Sequence, residues 1–146
     1  MTQTQPIRSI DLVPLIIRIT LALVFIYHGY EKVFQGGHAN ISALMAMKTA
    51  PYPSLLGWLA GCTEFFGGIA LLIGLLSRLA ALALACVMYV AIATVHLPNG
   101  FKITNEGGGY EFCLVLLLSA LAICLGGPGA LSLDRILFSR RKKIQK

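Results

Sequence analysis

Apolar residues in this chain run in four long stretches instead of recurring at the spacing of a soluble amphipathic helix. The stretches cover about residues 12–30, 55–76, 79–97 and 109–125. A helix needs about 20 apolar residues to cross the hydrocarbon core of a bilayer, and a soluble helix of that length would carry a polar stripe. The pattern predicts an all-α integral membrane protein, a four-helix bundle in one domain that fills residues 1–146.

The connections between the predicted spans differ in length. Ser77 lies in a three-residue turn, so the second and third spans must be adjacent and antiparallel. Residues 41–47 have the apolar spacing of a short helix lying on the outer surface. Residues 98–109 are rich in turn formers, and we expect them to fold over the outer mouth of the bundle. After the last span, Ser132 is suited to cap a short amphipathic helix.

Charge then predicts the orientation in the membrane. Only 12% of the residues are charged and 57% are hydrophobic, which favours a membrane protein over a soluble domain. Most basic residues outside the spans fall on one side: Arg8, Arg78, Arg135, Arg140, Arg141, Lys142, Lys143 and Lys146, against Lys32, Lys48 and Lys102. The positive-inside rule places the richer side, and so both termini, in the cytoplasm. The basic tail, residues 135–146, is expected to rest on anionic head groups and not on nucleic acid.

Two ionisable residues, Arg18 and Glu64, interrupt the apolar stretches. Such residues cost at least ~2.5 kcal/mol in hydrocarbon, so they usually face the bundle interior. Counted at 1.5 Å per residue from the outer ends of their spans, Arg18 and Glu64 reach similar depths, which leaves an ion pair between them open. That pair has two interpretations: a structural contact that fixes helix register, or a site that binds a ligand or handles protons.

Other polar residues gather near the outer ends of the spans, where they predict a buried polar pocket that opens outward. At 100° per residue, Tyr89 shares a face with His96, and Val115 shares one with Glu111. The predicted pocket contains Arg18, His28, Lys32, Glu64, His96 and Glu111. The plainer alternatives are histidines bound by loop backbone and a Glu111 that complements a helix dipole. The glycines expected to permit close helix packing are Gly29, Gly57, Gly61, Gly67 and Gly68.

The cysteines show neither CxxC spacing nor the spacing of a metal site with histidine. They are Cys62, Cys86, Cys113 and Cys124. By helical angle Cys62 lies opposite Glu64, and Cys113 points away from Glu111. We therefore expect the cysteines to lie outside the pocket, which disfavours a thiol mechanism, and we expect no metal site and no intrinsic cofactor.

Five short motifs, in this order and spacing, resemble the DoxX family of small bacterial membrane proteins. They are Arg18 followed by HGYEK at residues 28–32, EFFGG at 64–68, GLLSR at 74–78, GGYE at 108–111, and GPG with SLD at 127–134. The resemblance covers about Leu12 to Leu137. It implies a four-helix inner-membrane protein, in a superfamily with subunits associated with thiosulfate:quinone oxidoreductase and with relatives linked to complexes that handle thiols and oxidative stress. The matching positions are Arg18, Gly29, Lys32, Glu64, Gly67, Gly68, Arg78 and Glu111.

These observations lead to a hypothesis of an accessory or quinone-interacting subunit of a membrane redox complex. A quinone or a lipid-like molecule is the candidate ligand, and any catalysis is expected to belong to an associated oxidoreductase more than to this chain alone. The expected partners are the lipid bilayer and other membrane redox subunits or further copies of the chain. Two alternatives stay open: a small-solute or proton-coupled carrier, and a purely structural subunit of a larger membrane assembly.

Overall fold

Helices account for all the regular structure in the computed structural model, which describes residues 9–137. Their bounds are α1 Ser9–Phe34, α2 Gly37–Met47, α3 Pro53–Ile73, α4 Ser77–Ala91 and α5 Glu111–Gly126. After Ala91, α4 continues through a π turn, Ile92–His96, and a 3₁₀ turn, Leu97–Asn99. A further short helical segment occupies residues 133–137.

The four long apolar helices form a ring in which each packs against its neighbours in the chain. Helix α1 packs along α3, α3 along α4, α4 along α5, and α5 closes against α1. Large buried side chains fill the middle of the bundle, among them Leu21, Phe25, Leu71, Leu84 and Ile123. This arrangement, an all-α four-helix membrane bundle, confirms the fold predicted from the sequence.

Length and exposure fit the bundle to a bilayer. Helices α1, α3 and the extended α4 are each long and apolar enough to cross a membrane, and the apolar α5 is shorter at 16 residues. Many large apolar side chains point outward, where lipid would cover them. Which side the termini face stays a prediction, and Arg8 and residues 138–146, most of the basic tail, lie outside the described residues.

Glycines set the register of the antiparallel pair α1 and α3. A Cβ at Gly29 would collide with the backbone of Phe65, and one at Gly68 would lie 2.9 Å from the backbone nitrogen of Ile26. Farther along, Gly74 lies against Arg18. Gly57 and Gly61 lie on the same buried face of α3 as Glu64 and Gly68, whereas Gly67 faces Leu84 of α4. Backbones can approach this closely only where no side chain intervenes.

The π turn changes the face that α4 presents to the bundle. In a π turn hydrogen bonds run from i to i+5, so residues after it are rotated relative to an unbroken α-helix. Before the turn, Met88 borders the bundle interior and Tyr89 is 64% exposed; after it, Val95 and His96 border the interior. The prediction that Tyr89 shares the inward face of His96 is wrong for this reason.

The connecting segments cover the two ends of the bundle. Helix α2 begins at Gly37, earlier than predicted, and packs across α3, where a Cβ at Gly57 would collide with Ser42. At the opposite end the chain after α5 folds back under the helices, and the hydroxyl oxygen of Ser132 accepts a hydrogen bond from the backbone N–H of Arg135. We call these the Glu64 end, which carries α2 and the 97–110 loop, and the Arg18 end, which carries residues 127–137.

Candidate functional site

An ion pair between Lys32 and Glu64 joins α1 to α3. The Lys32 Nζ lies 2.5 Å from both carboxylate oxygens of Glu64. The side chain of Glu64 is 1% exposed, whereas that of Lys32 is 22% exposed. Within residues 9–137, the central polar feature of the Glu64 end is therefore a buried carboxylate paired with the flexible, cationic side chain of Lys32.

Side-chain direction explains why these two residues meet. Side chains of a helix lean toward its own N-terminus. In an antiparallel pair, Lys32 of α1 therefore leans into the membrane while Glu64 of α3 leans toward the end where α3 begins. Because Phe65 packs on Gly29, Glu64 lies almost level with that residue, within reach of the long lysine stem.

The alternative of an Arg18–Glu64 pair is wrong. Arg18 precedes Gly29, which is level with Glu64, by about 16 Å along α1 at 1.5 Å per residue, and its side chain leans farther away. The count from the sequence places the two at similar depths because it treats the outer ends of the two helices as level. Measured from the contact of Gly29 with Phe65, α1 continues for only about 7.5 Å to Phe34, whereas α3 begins about 18 Å away at Pro53.

Arg18 instead holds the chain that follows α5. Its Nη2 donates to the carbonyl oxygens of Leu131 at 2.9 Å and Ala130 at 3.4 Å. The side chain is 1% exposed, and its Nε and Nη1 make no hydrogen bond within residues 9–137. Asp134 supplies the nearby opposing charge. Arg18 thus belongs to the Arg18 end and not to a pocket with Glu64.

A cavity of about 410 Å³ lies inside the Glu64 end. Its wall is mostly apolar, with contributions from every long helix, from α2 and from the 97–110 loop. The polar side chains on it include four of the predicted pocket residues. The main lining residues are Phe25, His28, Lys32, Leu44, Glu64, Met88, Val95, His96, Phe112, Cys113 and Leu116. The Lys32–Glu64 pair thus borders this partly open cavity as well as protein.

The two histidines on the cavity wall are held differently. His96 Nδ1 lies 2.9 Å from the carbonyl oxygen of Gly108. A carbonyl can only accept, so Nδ1 carries the proton, and Nε2 of the neutral ring is a hydrogen-bond acceptor. His28 Nδ1 lies 3.5 Å from a carboxylate oxygen of Glu31, and these side chains are 47% and 42% exposed. His96 is therefore the more firmly placed of the two.

Glu111 does not line the cavity. Its Oε1 accepts a hydrogen bond of 2.8 Å from the backbone N–H of Ile103, and its own N–H donates to the carbonyl oxygen of Phe101. These contacts fasten the loop over the cavity to the start of α5. Its helical face, with Val115 and Leu118, is exposed, so the predicted inward direction of that face is wrong.

The placement of Cys113 also corrects the sequence prediction. Cys113 does point away from Glu111, but the face of Glu111 is the lipid-facing one, so Cys113 is buried and lines the cavity. Its side chain lines the same cavity as Lys32 and Glu64. The expectation that all cysteines lie outside the pocket fails at this residue; Cys62, Cys86 and Cys124 do not line the cavity.

One residue near the pair had no role in the sequence analysis. His38 Nδ1 lies 2.9 Å from the carbonyl oxygen of Lys32, and its ring stacks on Trp58 at 4.0 Å. It therefore fixes the end of α1 from which Lys32 projects. The signal in the sequence is a histidine one residue after the Gly36–Gly37 break, where α2 has to turn back against α1.

The cavity provides groups for an organic ligand more than for a metal. Between Ser9 and Leu137, no three His, Cys, Asp or Glu side chains converge in a way that would hold an ion. What converges is an ammonium donor on Lys32, a carboxylate on Glu64 and a ring acceptor on His96, on a largely apolar wall. Such a mixture suits a mainly apolar molecule with a few polar atoms.

These features define a polytopic helical membrane protein with a charged pair on the wall of an internal cavity. Comparison with known proteins places it more narrowly: the chain belongs to the DoxX family, whose model matches residues 13–97. No solved structure gives a significant match.

Several curated relatives match along most of their length. A Bacillus subtilis protein named "Putative oxidoreductase CatD" is 29% identical over 135 residues, covering 92% of this chain and 94% of the relative. An uncharacterised Haemophilus influenzae protein is 33% identical over 128 residues, covering 85% and 90%. The Escherichia coli "Inner membrane protein YphA" is 29% identical over 126 residues, covering 83% and 87%.

Proposed function

We propose that this chain is a quinone-interacting accessory subunit of a redox complex in the bacterial inner membrane, with the cavity of the Glu64 end as the quinone site. The observation that carries the proposal is the Lys32–Glu64 pair on the wall of a largely apolar cavity of about 410 Å³. Ligand pockets in proteins usually measure about 300–1,000 Å³ and combine apolar walls with a few polar groups. A quinone head group fits that combination, because it is a largely apolar ring that carries carbonyl oxygens.

The polar atoms match both oxidation states of a quinone. A quinone carbonyl accepts hydrogen bonds, and Lys32 is a donor beside the cavity. A quinol hydroxyl donates, and the Nε2 of His96 is an acceptor because the Nδ1 is committed to Gly108. The contribution of this chain is to bind and orient the ring; the electrons belong to the chemistry of partner subunits. The printed name of the Bacillus relative supports a redox setting.

Packing favours binding over passage through the bundle. Between the cavity and the Arg18 end, the interior is filled by Leu21, Leu71, Leu84 and Ile123, each at most 1% exposed. A solute crossing a single copy of the chain would have to displace this layer. The carrier alternative therefore has no specific observation in its favour.

The test of the proposal uses a Glu64→Gln variant in lipid nanodiscs, titrated with decylubiquinone, whose fully substituted ring resists addition of the Cys113 thiol. We expect at least about tenfold weaker binding, because an uncharged amide no longer holds the Lys32 ammonium at the cavity wall; tenfold corresponds to ~1.4 kcal/mol. Glu106→Gln is the matched control, since Glu106 is exposed on the loop and does not line the cavity.

The subunit role is tested separately by gentle purification and mass spectrometry of what copurifies. Stoichiometric redox subunits are the expected result. Glu64→Gln protein that binds the quinone as tightly as the natural chain and supports normal quinone-linked activity in membranes would contradict the proposed site. A chain that purifies with no partner from native membranes would contradict the role of a subunit.

A further inference from the structure

A second recess, separate from the cavity, lies at the Arg18 end. It is an open groove of about 790 Å³ between the start of α1 and the start of α4, across the end of α5. Its apolar walls are formed by Ile10, Val13, Pro14, Leu76 and Leu79. Ile10, Val13 and Leu79 are each more than half exposed, so the groove opens directly onto the lipid-facing surface of the helices.

Two glycines, Gly126 and Gly129, leave the groove free of side chains at its base. Gly126, the last residue of α5, has open space where a Cβ would stand. Gly129 has a φ of +71°, and a Cβ there would lie 2.7 Å from the carbonyl oxygen of Asp11 and 2.9 Å from Pro14. The chain after α5 can therefore pass close under α1 without side chains that would fill the groove.

Among the groove's charged residues within 9–137, Arg78 is the cation that makes no ion pair with a carboxylate. Asp134 accepts hydrogen bonds from the backbone N–H groups of Leu76 and Ser77, at 2.7 and 2.8 Å. Asp11 lies 3.4 Å from Arg135. Arg78 is exposed, and its one hydrogen bond within the described part of the chain is to the carbonyl oxygen of Cys124, at 3.2 Å.

The position of Arg78 fits a lipid head group. It is the second residue of α4, at the very end of a membrane-spanning helix, where the hydrocarbon core gives way to phosphates. A guanidinium presents five donors in a planar fork that matches a phosphate. Its Nη1 donates to the carbonyl oxygen of Cys124, so the other donors can bind a second acceptor. Arg78 lines the same groove as the apolar side chains, which can contact an acyl chain.

We propose that this groove binds one anionic phospholipid from the surrounding leaflet, with its phosphate on Arg78 and an acyl chain along Ile10, Val13 and Leu79. Charge complementarity selects the class: each basic residue near an anionic membrane surface contributes ~1 kcal/mol. The site is distinct from the quinone cavity and does not depend on the proposed function.

The test is native mass spectrometry of the full chain released from equal amounts of phosphatidylglycerol and phosphatidylcholine with identical acyl chains. The natural chain should retain phosphatidylglycerol in preference to phosphatidylcholine, and Arg78→Gln should lower that preference about fivefold, the ratio given by ~1 kcal/mol. Any contribution of the basic tail, residues 135–146, is the same in both proteins and cancels in this comparison. Lys102→Gln removes an exposed charge at the opposite end and should leave the preference unchanged.

A second variant tests the location without touching the charge. Gly126→Leu places a side chain into open space, so the bundle should remain folded while the groove is filled, and the retained lipid should be lost. Unchanged retention of phosphatidylglycerol in either Arg78→Gln or Gly126→Leu would overturn the proposal. Equal thermal stabilisation by inorganic phosphate and by phosphatidylglycerol would also overturn it, because the groove would then recognise a free anion and not a lipid.

Discussion

The two ends of the bundle each bury one of the charged side chains Arg18 and Glu64, and they differ in the kind of partner that holds it. Arg18 and Glu64 are both 1% exposed. Arg18 is held by backbone carbonyls of residues 130 and 131 in a tightly folded segment. Glu64 is held by the end of a lysine side chain that borders a cavity. Burial is the same at both ends, but the mobility of the partner and the space beside it are not.

This difference separates a structural charge from a candidate binding charge. Backbone carbonyls cannot leave Arg18 without unfolding the segment that carries them. Lys32 can rotate about several bonds and exchange Glu64 for a ligand atom, at a cost limited to side-chain entropy and one ion pair. A buried charge in a membrane helix therefore indicates a binding site only where its partner can move and an adjacent cavity can accept a ligand.

The largest expected effect is a loss of stability caused by a substitution at the Arg18 end. Asp134→Ala removes the acceptor of two backbone N–H groups at the start of α4 and the charge that opposes Arg18. We expect about 3 kcal/mol lower stability, because unsatisfied buried donors each cost ~1–3 kcal/mol. For a chain of this size that is a loss of roughly 10 °C in melting temperature, read by size-exclusion chromatography after heating.

The control for that prediction keeps part of the cap. Asp134→Asn retains one acceptor oxygen, so its loss in melting temperature should be about half as large. In the folded fraction of either variant, decylubiquinone binding should stay normal, because the cavity lies at the other end. A melting temperature unchanged in Asp134→Ala would show that the fold does not depend on this contact.

The second prediction is that a substitution at the Glu64 end lowers both stability and quinone binding. Lys32→Met leaves a buried carboxylate without its cation, and we expect about 2 kcal/mol lower stability. This is less than the ~3–5 kcal/mol lost when a fully buried pair is broken, because Lys32 is partly exposed. Quinone binding should weaken at least about tenfold. Thermal melting and nanodisc titration measure the two effects.

Restoring stability without binding is the decisive comparison. The double variant Lys32→Met with Glu64→Gln removes the uncompensated charge, so it should recover most of the lost melting temperature while quinone binding stays weak. A double variant that binds quinone normally would show that the pair is structural, like Arg18. No recovery of stability would show that the loss in Lys32→Met comes from packing and not from charge.

Much of this arrangement follows from helical periodicity alone. The face of α3 that carries Glu64, with Gly57, Gly61, Gly68 and Leu71, is the buried face in the structure. A period of 3.6 residues applies wherever a helix is regular, so the four spans and this face could be read from the sequence. The Ser132 cap could be read as well, because capping is local.

The errors occur where a property is not periodic or not local. Tyr89 was misplaced because the π turn shifts the face by an amount that residue types do not reveal. The prediction for the partner of Glu64 fails because the depth count assumes that α1 and α3 end at the same level, whereas α3 extends about 10 Å farther at this end. Cys113 was excluded because the reference face, that of Glu111, was assumed to point inward, whereas loop contacts fix Glu111 at the rim.

The smallest expected effect tests whether that rim matters to the cavity. Glu111→Gln keeps an acceptor for the Ile103 N–H but removes the charge that strengthens the bond. Because the side chain is not fully buried, we expect a loss of about 0.5 kcal/mol in stability and less than about a twofold change in quinone affinity.

The matched variant Glu111→Ala removes the acceptor, frees the loop and should double the loss of stability. A tenfold loss of quinone affinity in Glu111→Gln, measured by the same titration, would contradict the division drawn here, because a residue outside the cavity would then act as strongly on the ligand as Glu64. Equal effects of the two substitutions on melting temperature would locate the contribution of Glu111 in its charge beside the N-terminus of α5 instead of in its bond to the loop.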